Sequence, residues 1–268
     1  MARHWTYGVR LAKIARMRGF TVMPVPGIPE ITEGDNLAAI VVAAANASGI
    51  PIAAGDVVVV AQKVVSKAEG RRRALAEVTP GPRALQLAAE CGKDPRLVEL
   101  VLAESSEIVR CVPGVLIARH RLGFVVANAA IDQSNLPGSA DHALLLPADP
   151  DASAGRLAAR FSEMAGGPVA AIINDSFGRP FREGTCGVAI GCAGLEALVD
   201  LRGGRDREGR VLQASVVAHA DEIAAAASLV MGQADEGLPA AVLRGISHGT
   251  TPRPASALVR PAERDLFR

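Results

Sequence analysis

The chain has 268 residues, 49% of them apolar and 21% charged, enough for one large domain or two small ones around a sizeable core. A formal net charge of +1 argues against a broad nucleic-acid footprint but leaves room for a local anion site, and with only 3% aromatics the core must be built from Ala, Val, Leu and Ile. The four cysteines, Cys91, Cys111, Cys186 and Cys192, form no C-x-x-C pair, which fits reduced thiols in a cytoplasmic protein, and no apolar run reaches a membrane span.

The first twenty residues carry Arg3, Arg10, Lys13, Arg16 and Arg18 and no acid. They lack the apolar centre of a secretory signal and read as a basic extension, residues 1–20. Thr21 to Val25 is a short strand that runs into the rigid loop Pro26, Gly27, Ile28, Pro29. Asp35 is placed to cap a helix from Asn36 to Ala47. Gly55 and Asp56 turn the chain into Val57 to Ala61, whose unbroken small apolar composition predicts a strand covered on both faces. Directly after it come Gln62, Lys63, Ser66 and Lys67. Lys63 and Lys67 share a face in either a helix or a strand, so two ammonium groups can converge on one anion; the plain alternative is a solvated basic edge.

Pro82 to Cys91 and a segment from Pro95 to about Arg110, capped by Asp94, read as helices. Gly114 to Arg119 and Gly123 to Ala130 read as strands joined closely enough to force an antiparallel hairpin. The second delivers Asn128, Asp132, Ser134 and Asn135 at its exit. Asp149, Pro150 and Asp151 begin a helix to about Ala165, with Arg156 and Arg160 on its solvated face.

Val169 to Ile173 then has the composition of a buried strand. It turns abruptly polar at Asn174, Asp175 and Ser176, and Gly178 and Pro180 break regular structure between Arg179 and Arg182. Carboxylate and hydroxyl oxygens suit a hard cation such as Mg²⁺, and guanidinium forks suit phosphate or carboxylate. The plain alternative is an ion pair between Asp175 and Arg179 inside the turn. Val211 to Ala218 reads as a strand, Asp221 as the cap of a small-residue helix stopped by Gly232, and Pro239 to Leu243 as a last strand. The Pro-, Ser- and Arg-rich segment from Ser247 reads as loosely held. Helices and strands intermix and at least one hairpin is present, so the fold class is α+β, with mixed sheets, antiparallel hairpins and packed helices.

No Gly-rich nucleotide motif, zinc-protease motif or nucleophile elbow occurs, and the five histidines show no metal spacing and read as surface or cap residues. What remains is a pair of acids, Asp132 and Asp175, beside Lys and Arg. That inventory fits phosphoryl chemistry on one or two Mg²⁺ ions without naming a substrate.

Nine segments, PGIPEI (26–31), GDVVVVAQKVVSKAEGR (55–71), GKDPRLVELVL (92–102), GFVVANAAIDQSN (123–135), LLLPADPDASA (144–154), NDSFGRPFREG (174–184), VAIGCAGL (188–195), ADEIAAAASLVMG (220–232) and PAAVLRG (239–245), resemble in order and spacing the coenzyme F-420-0:L-glutamate ligase family. The resemblance covers about Phe20 to Gly245. It implies a ligase domain over residues 21–247 with a tail at 248–268, no nitroreductase-like second domain, and an intertwined cytoplasmic homodimer without nucleic-acid or membrane partners.

The implied reaction uses GTP to phosphorylate a carboxylate of the coenzyme precursor. The amine of L-glutamate then displaces phosphate, leaving a γ-glutamyl amide. Carried over by motif, Asp132, Asp175 and Arg179 are catalytic. Asp132 and Asp175 ligate a first Mg²⁺ or Mn²⁺, and Ser176 and Gln233 serve a second, with K⁺ as a further ion. Nucleotide-binding positions are Pro26, Gly27, Ile28, Pro29, Gln62, Lys63, Lys67 and Asn135, together with Met231, Gly232, Gln233, Ala234, Asp235, Glu236, Gly237 and Leu238. Three residues depart from the family pattern: Gln233 where some members have a glutamate, for which Asp235 or Glu236 are substitutes; Ala130 where a glycine is expected; and Thr185 where glutamine is common. The departures keep two other readings open, a nucleotide- or cofactor-binding homologue that has lost catalysis and a ligase for another carboxylate acceptor.

Overall fold

The computed structural model describes residues 19–134, 141–249 and 251–265, so residues 1–18 of the basic extension and Asn135 lie outside the described residues. The strands in chain order are Thr21–Pro24 (β1), Val57–Ala61 (β2), Arg72–Ala74 (β3), Ser105–Val112 (β4), Val115–His120 (β5), Val125–Ala127 (β6), His142–Leu144 (β7), Ala170–Arg179 (β8), Arg182–Ala193 (β9), Val199–Asp200 (β10), Val216–Val217 (β11) and Ala240–Arg244 (β12). The helices are Leu37–Ala47 (α1), Gln62–Ala68 (α2), Pro82–Cys91 (α3), Pro95–Ala103 (α4), Pro150–Ala165 (α5) and His219–Met231 (α6). The mixture is α+β, as composition and motif order predict. Among the described residues no helix is long and apolar enough to cross a membrane.

A five-stranded mixed sheet in the order β1-β12-β2-β8-β9 carries the structure, with β2 and β8 parallel and the other neighbours antiparallel. Strand pleating sends alternate residues to opposite faces. Val58, Val60, Ala171 and Ile173 pack on one side in the same cluster as Leu37 and Val41 of α1 and Leu157 and Phe161 of α5. Val57, Val59, Ala170 and Ile172 pack on the other with Ala220, Ile223, Ala224 and Ala227 of α6. Full burial of a residue such as Ile172 contributes roughly 1.5–3 kcal/mol. The covering helices come very close to β9: a Cβ at Gly191 would collide with Pro150 O, and one at Gly187 with Ala224 O. A third core joins α3 and α4 to the sheet β4-β5-β6 through Leu87, Val98, Val101 and Leu116.

Glu104, at the end of α4, receives Arg71 at 2.9 Å and Arg121 at 3.1 Å and stands 3.3 Å from His120. Burial works against its charge, but His120 and the two arginines outweigh burial and hold its carboxyl down to about 2. His120 is fully buried, unlike the surface role expected for it, and its Nδ1 accepts the Leu122 N–H at 3.0 Å.

The structure corrects several expectations. The cap of α1 is Asn36, whose side chain accepts the Ala39 N–H; Asp35 accepts from Thr32 instead. The helix from Pro95 stops at Ala103, and Ser105–Val112 is a strand paired with β5. The strand after Gly123 is only Val125–Ala127, and Val211–Ala218 reduces to Val216–Val217. Strand β8 does not end where the chain turns polar after Ile173. Pairing with β9 carries it through Gly178 to Arg179, where Pro180 and Phe181 make a two-residue turn. Asp221 lies inside α6 and its carboxylate accepts the Ala189 N–H of β9. The segment from Ser247 is held at its centre: Asp151 accepts the backbone N–H groups of Cys192, Ala255 and Ser256 at 2.9, 2.8 and 3.0 Å.

Candidate functional site

Strand β8 outruns its parallel neighbour. The last β2–β8 pair is Ala61 with Asn174, and beyond it only β9 accompanies the strand. A register shift between Ile173 and Asn174 marks the exit from the five-stranded sheet. Asp175 is therefore the first residue of a hairpin that overhangs the sheet, fixed by its pairing with Val188 rather than by its own charge.

Asp132 arrives by a different route from the buried strand exit expected for it. Strand β6 is largely exposed, and it passes into a turn in which Asn128, Ala129 and Ala130 all have left-handed φ, 52°, 51° and 57°. Left-handed backbone costs roughly 1–2 kcal/mol per non-glycine residue. That turn, and the two backbone hydrogen bonds Asp132 exchanges with Leu144, aim its carboxylate at Lys63.

Helix α2 starts with no linker after β2, so Gln62 and Lys63 lie at the same sheet edge as Asp175. Lys63 Nζ sits 2.6 Å from Asp132 Oδ2 and donates to Ser134 Oγ at 2.7 Å. The Ser134 N–H and hydroxyl donate to the same carboxylate at 2.7 and 3.0 Å. Burial would raise the Asp132 carboxyl, but Lys63 and Ser134 outweigh it and hold it below the usual carboxylate range. Asp175 is the opposite case. Among the described residues it receives only the Ser176 N–H, at 2.8 Å. Burial pushes it up to about 6 despite that N–H; the neighbouring Asp132 charge adds to the rise and Lys63 opposes it. The remaining donors also converge here: Ser176 Oγ donates to Gln233 Oε1 at 2.5 Å. Glu236, one substitute for Gln233, is turned into its own loop, where Oε2 accepts the Ala234 N–H at 2.8 Å.

Among the described residues no cluster of three or more His, Cys, Asp or Glu side chains is set to hold a metal ion. The donor set is instead two carboxylates, a hydroxyl and an amide oxygen. All are oxygens, one carboxylate has too few donors for its charge, and Asn174 Oδ1 is buried beside them without a partner. Such a set fits a hard divalent cation.

Two cavities meet at this wall. The first, about 560 Å³, is lined by Ile28, Pro29, Lys63, Lys67 and the loop from Met231 to Leu238. Lys67 Nζ pairs there with Glu30 Oε1 at 2.6 Å. Pro26 and Gly27 stand outside its lining. The second, about 730 Å³, lies between the β5–β6 edge and the β8–β9 hairpin. Gln62, Asp132, Asp175 and Ser176 line both. Arg179 lines only the second cavity, so it is not grouped with the lysines, and no ion pair joins it to Asp175. Four residues along an extended strand separate the two by roughly 13 Å, which rules out the pairing within a turn. Glu30 and the second cavity escape a reading of the sequence. Glu30 lies inside a recognisable loop, and its contact with Lys67 spans 37 positions.

Residues 27–245 match the family described as F420-0:Gamma-glutamyl ligase. The chain is 47% identical to the coenzyme F420:L-glutamate ligase of Methanothermobacter thermautotrophicus, over 93% of this chain and 99% of that protein. It is 46% identical to the enzyme of the same name from Methanopyrus kandleri, over 92% and 97%. The corresponding protein of Halobacterium salinarum is 45% identical, over 84% and 87%.

Proposed function

The chain belongs to the F420-0:Gamma-glutamyl ligase family, and from that membership we propose that it joins L-glutamate to the coenzyme F420 precursor through γ-glutamyl amide bonds, driven by GTP. The observation that carries the proposal is the wall of Asp132 and Asp175 between two cavities, with Lys63 and Lys67 on one side only.

The triphosphate occupies the first cavity, between the Ile28–Pro29 loop and the loop from Met231 to Leu238. Pro26 and Gly27 precede the first loop, and the family resemblance assigns Asn135 to nucleotide binding as well. Lys63 and Lys67 neutralise phosphate oxygens, and Lys67 exchanges Glu30 for phosphate when the nucleotide binds. Asp132 and Asp175 would hold one Mg²⁺ or Mn²⁺ and Ser176 with Gln233 a second, with K⁺ as a further ion; bound there, a divalent cation would supply charge neutralisation to the phosphates.

The bond between the terminal phosphorus and its bridging oxygen breaks as phosphorus bonds to an acceptor carboxylate oxygen, and GDP leaves. The glutamate nitrogen then attacks the acyl carbon. The C–N bond forms, the C–O bond to phosphate breaks, and the amine proton passes to solvent. The residues supply positioning and charge neutralisation, which carry most of phosphoryl-transfer catalysis. The proposal includes a homodimer, which the overhanging β8–β9 hairpin and its 90% exposed Phe181 support.

The test is release of GDP and phosphate by the purified chain given GTP, Mg²⁺, F420-0 and L-glutamate. Release is expected only when all four are present. GTP bound but never turned over would establish a binding protein instead, and turnover indifferent to F420-0 would point to another acceptor.

A further inference from the structure

The nucleotide accounts for the first cavity and leaves the second unused. At about 730 Å³ the second falls within the size range of small-molecule sites. Its walls are apolar, with Ile117 from β5, Val125 and Ala127 from β6, and Phe177 from β8. At the end nearest the hairpin turn stand two cations, Arg179 and Arg182.

These two arginines are register partners across the turn. Like charges directly opposite one another weaken a hairpin unless a counter-charge joins them. Among the described residues neither pairs with a carboxylate. Arg179 Nε is buried without a hydrogen-bond partner, and its Nη2 finds only Glu183 O at 3.4 Å. The cavity therefore offers an apolar body, a cationic end lacking its anion, and, at the other end, the Asp132–Asp175 wall that faces the phosphate side.

We propose that the second cavity takes the acid acceptor. The acceptor is a carboxylic acid with an apolar body and a second oxyanion. Arg179 and Arg182 hold the second oxyanion, Phe177 and the β5–β6 edge cover the body, and the reacting carboxylate reaches the wall where phosphoryl transfer occurs. The assignment rests on the ligase proposal and extends it by separating the acceptor's site from the nucleotide's. It also makes the arginine pair a specificity device: an acid of the same body without the second anion leaves two guanidinium groups unpaired.

Arg182 is exposed at the hairpin end, so Arg182→Gln and Arg182→Glu leave the core untouched. Arg179→Gln, with Arg179→Lys as the conservative control, probes the half-buried member, whose Nε is shielded from solvent. Equilibrium dialysis with F420-0 reads acceptor binding without turnover, and calorimetry with GDP reads the other cavity. Each Gln variant is expected to weaken F420-0 binding by about tenfold or more, the loss of a charge-assisted contact, and Arg182→Glu by more than Arg182→Gln. GDP affinity and the KM for glutamate stay within about twofold, since neither arginine lines the first cavity and the proposal sets the acceptor, not glutamate, against them. A wild type that makes product while F420-0 affinity ignores both arginines overturns the cavity assignment alone. So does a rise confined to the glutamate KM, or a change of sedimentation with acceptor binding intact, which would give the face to a second copy of the chain. A wild type that forms no amide yet binds F420-0 through these arginines overturns the ligase proposal and leaves the acceptor cavity standing.

Discussion

Asp175→Asn separates a structural carboxylate from a cation-binding one, because the two predict opposite changes in stability. The substitution keeps the shape of the side chain and an oxygen to accept the Ser176 N–H. In metal-free protein the Asp175 carboxyl is pushed up to about 6 from an ordinary 3.8. A folded-state value above the unfolded one means that the folded chain holds the proton more tightly. The ionised group then opposes folding, and stability falls as pH rises from about 4 through about 6. The difference of some two units corresponds to about 3 kcal/mol, which partial solvent access reduces to the order of 1–3 kcal/mol. At pH 7.5 in EDTA the variant should therefore melt about 2–10 °C higher than wild type, and the two curves should converge toward pH 4. With saturating Mg²⁺ the order should reverse, since wild type gains a ligand that asparagine holds poorly. Amide formation should fall at least about a hundredfold, or ~3 kcal/mol of transition-state stabilisation. Thermal melts with and without Mg²⁺, beside single-turnover kinetics, read all three. A variant that melts lower in EDTA and turns over normally refutes the reasoning.

Lys67→Ala should weaken GDP binding by roughly 1.5–3 kcal/mol, with glutamate affinity unchanged; calorimetry that finds equal GDP affinities would make Lys67 a structural partner of Glu30 rather than a phosphate ligand. Asp151→Ala removes the acceptor of three backbone N–H groups that join α5, β9 and the segment around Ala255, and should cost on the order of 3 kcal/mol in denaturant unfolding and open residues 253–258 to protease. Wild-type resistance in the variant would show that those groups find other partners. Ala130→Gly relieves one of three consecutive left-handed residues and should stabilise the chain by about 0.5–1 kcal/mol, read as a shift in denaturation midpoint at constant slope. A loss of stability would show that Ala130 is held for its packing.

The regular elements were legible wherever composition settled the matter locally. The valine run at 57–60 could only be buried on both faces, and Asp94–Pro95 and Asp149–Pro150 announce their helices by cap and first-turn chemistry. The errors fall where a distant partner decides. Ile108, Cys111 and Val112 are spaced closely enough to pass for a helix face, and pairing with β5 makes them a strand. Gly178 reads as a breaker, yet β9 carries the ladder past it. At the site, residues on one local motif were found readily: Lys63 and Lys67 on one helix, Asp175 and Ser176 on one strand. Ser134 bridging Lys63 and Asp132, Glu30 on Lys67, and Ser176 on Gln233 join segments 71, 37 and 57 positions apart and have no local signature. The second cavity is of that kind. Its one trace in the sequence is a pair of arginines flanking Pro180 and Phe181, which becomes informative once the turn is known to set them face to face.

The most direct measurement is the mass and linkage of the product formed from F420-0, GTP, Mg²⁺ and L-glutamate by the purified chain. A single product population heavier by whole glutamyl residues, its amide broken by a γ-glutamyl hydrolase and absent with Asp132→Asn or Asp175→Asn, is the predicted result. Unchanged F420-0 alongside GDP, or an amide that both variants still form at the wild-type rate, would contradict it.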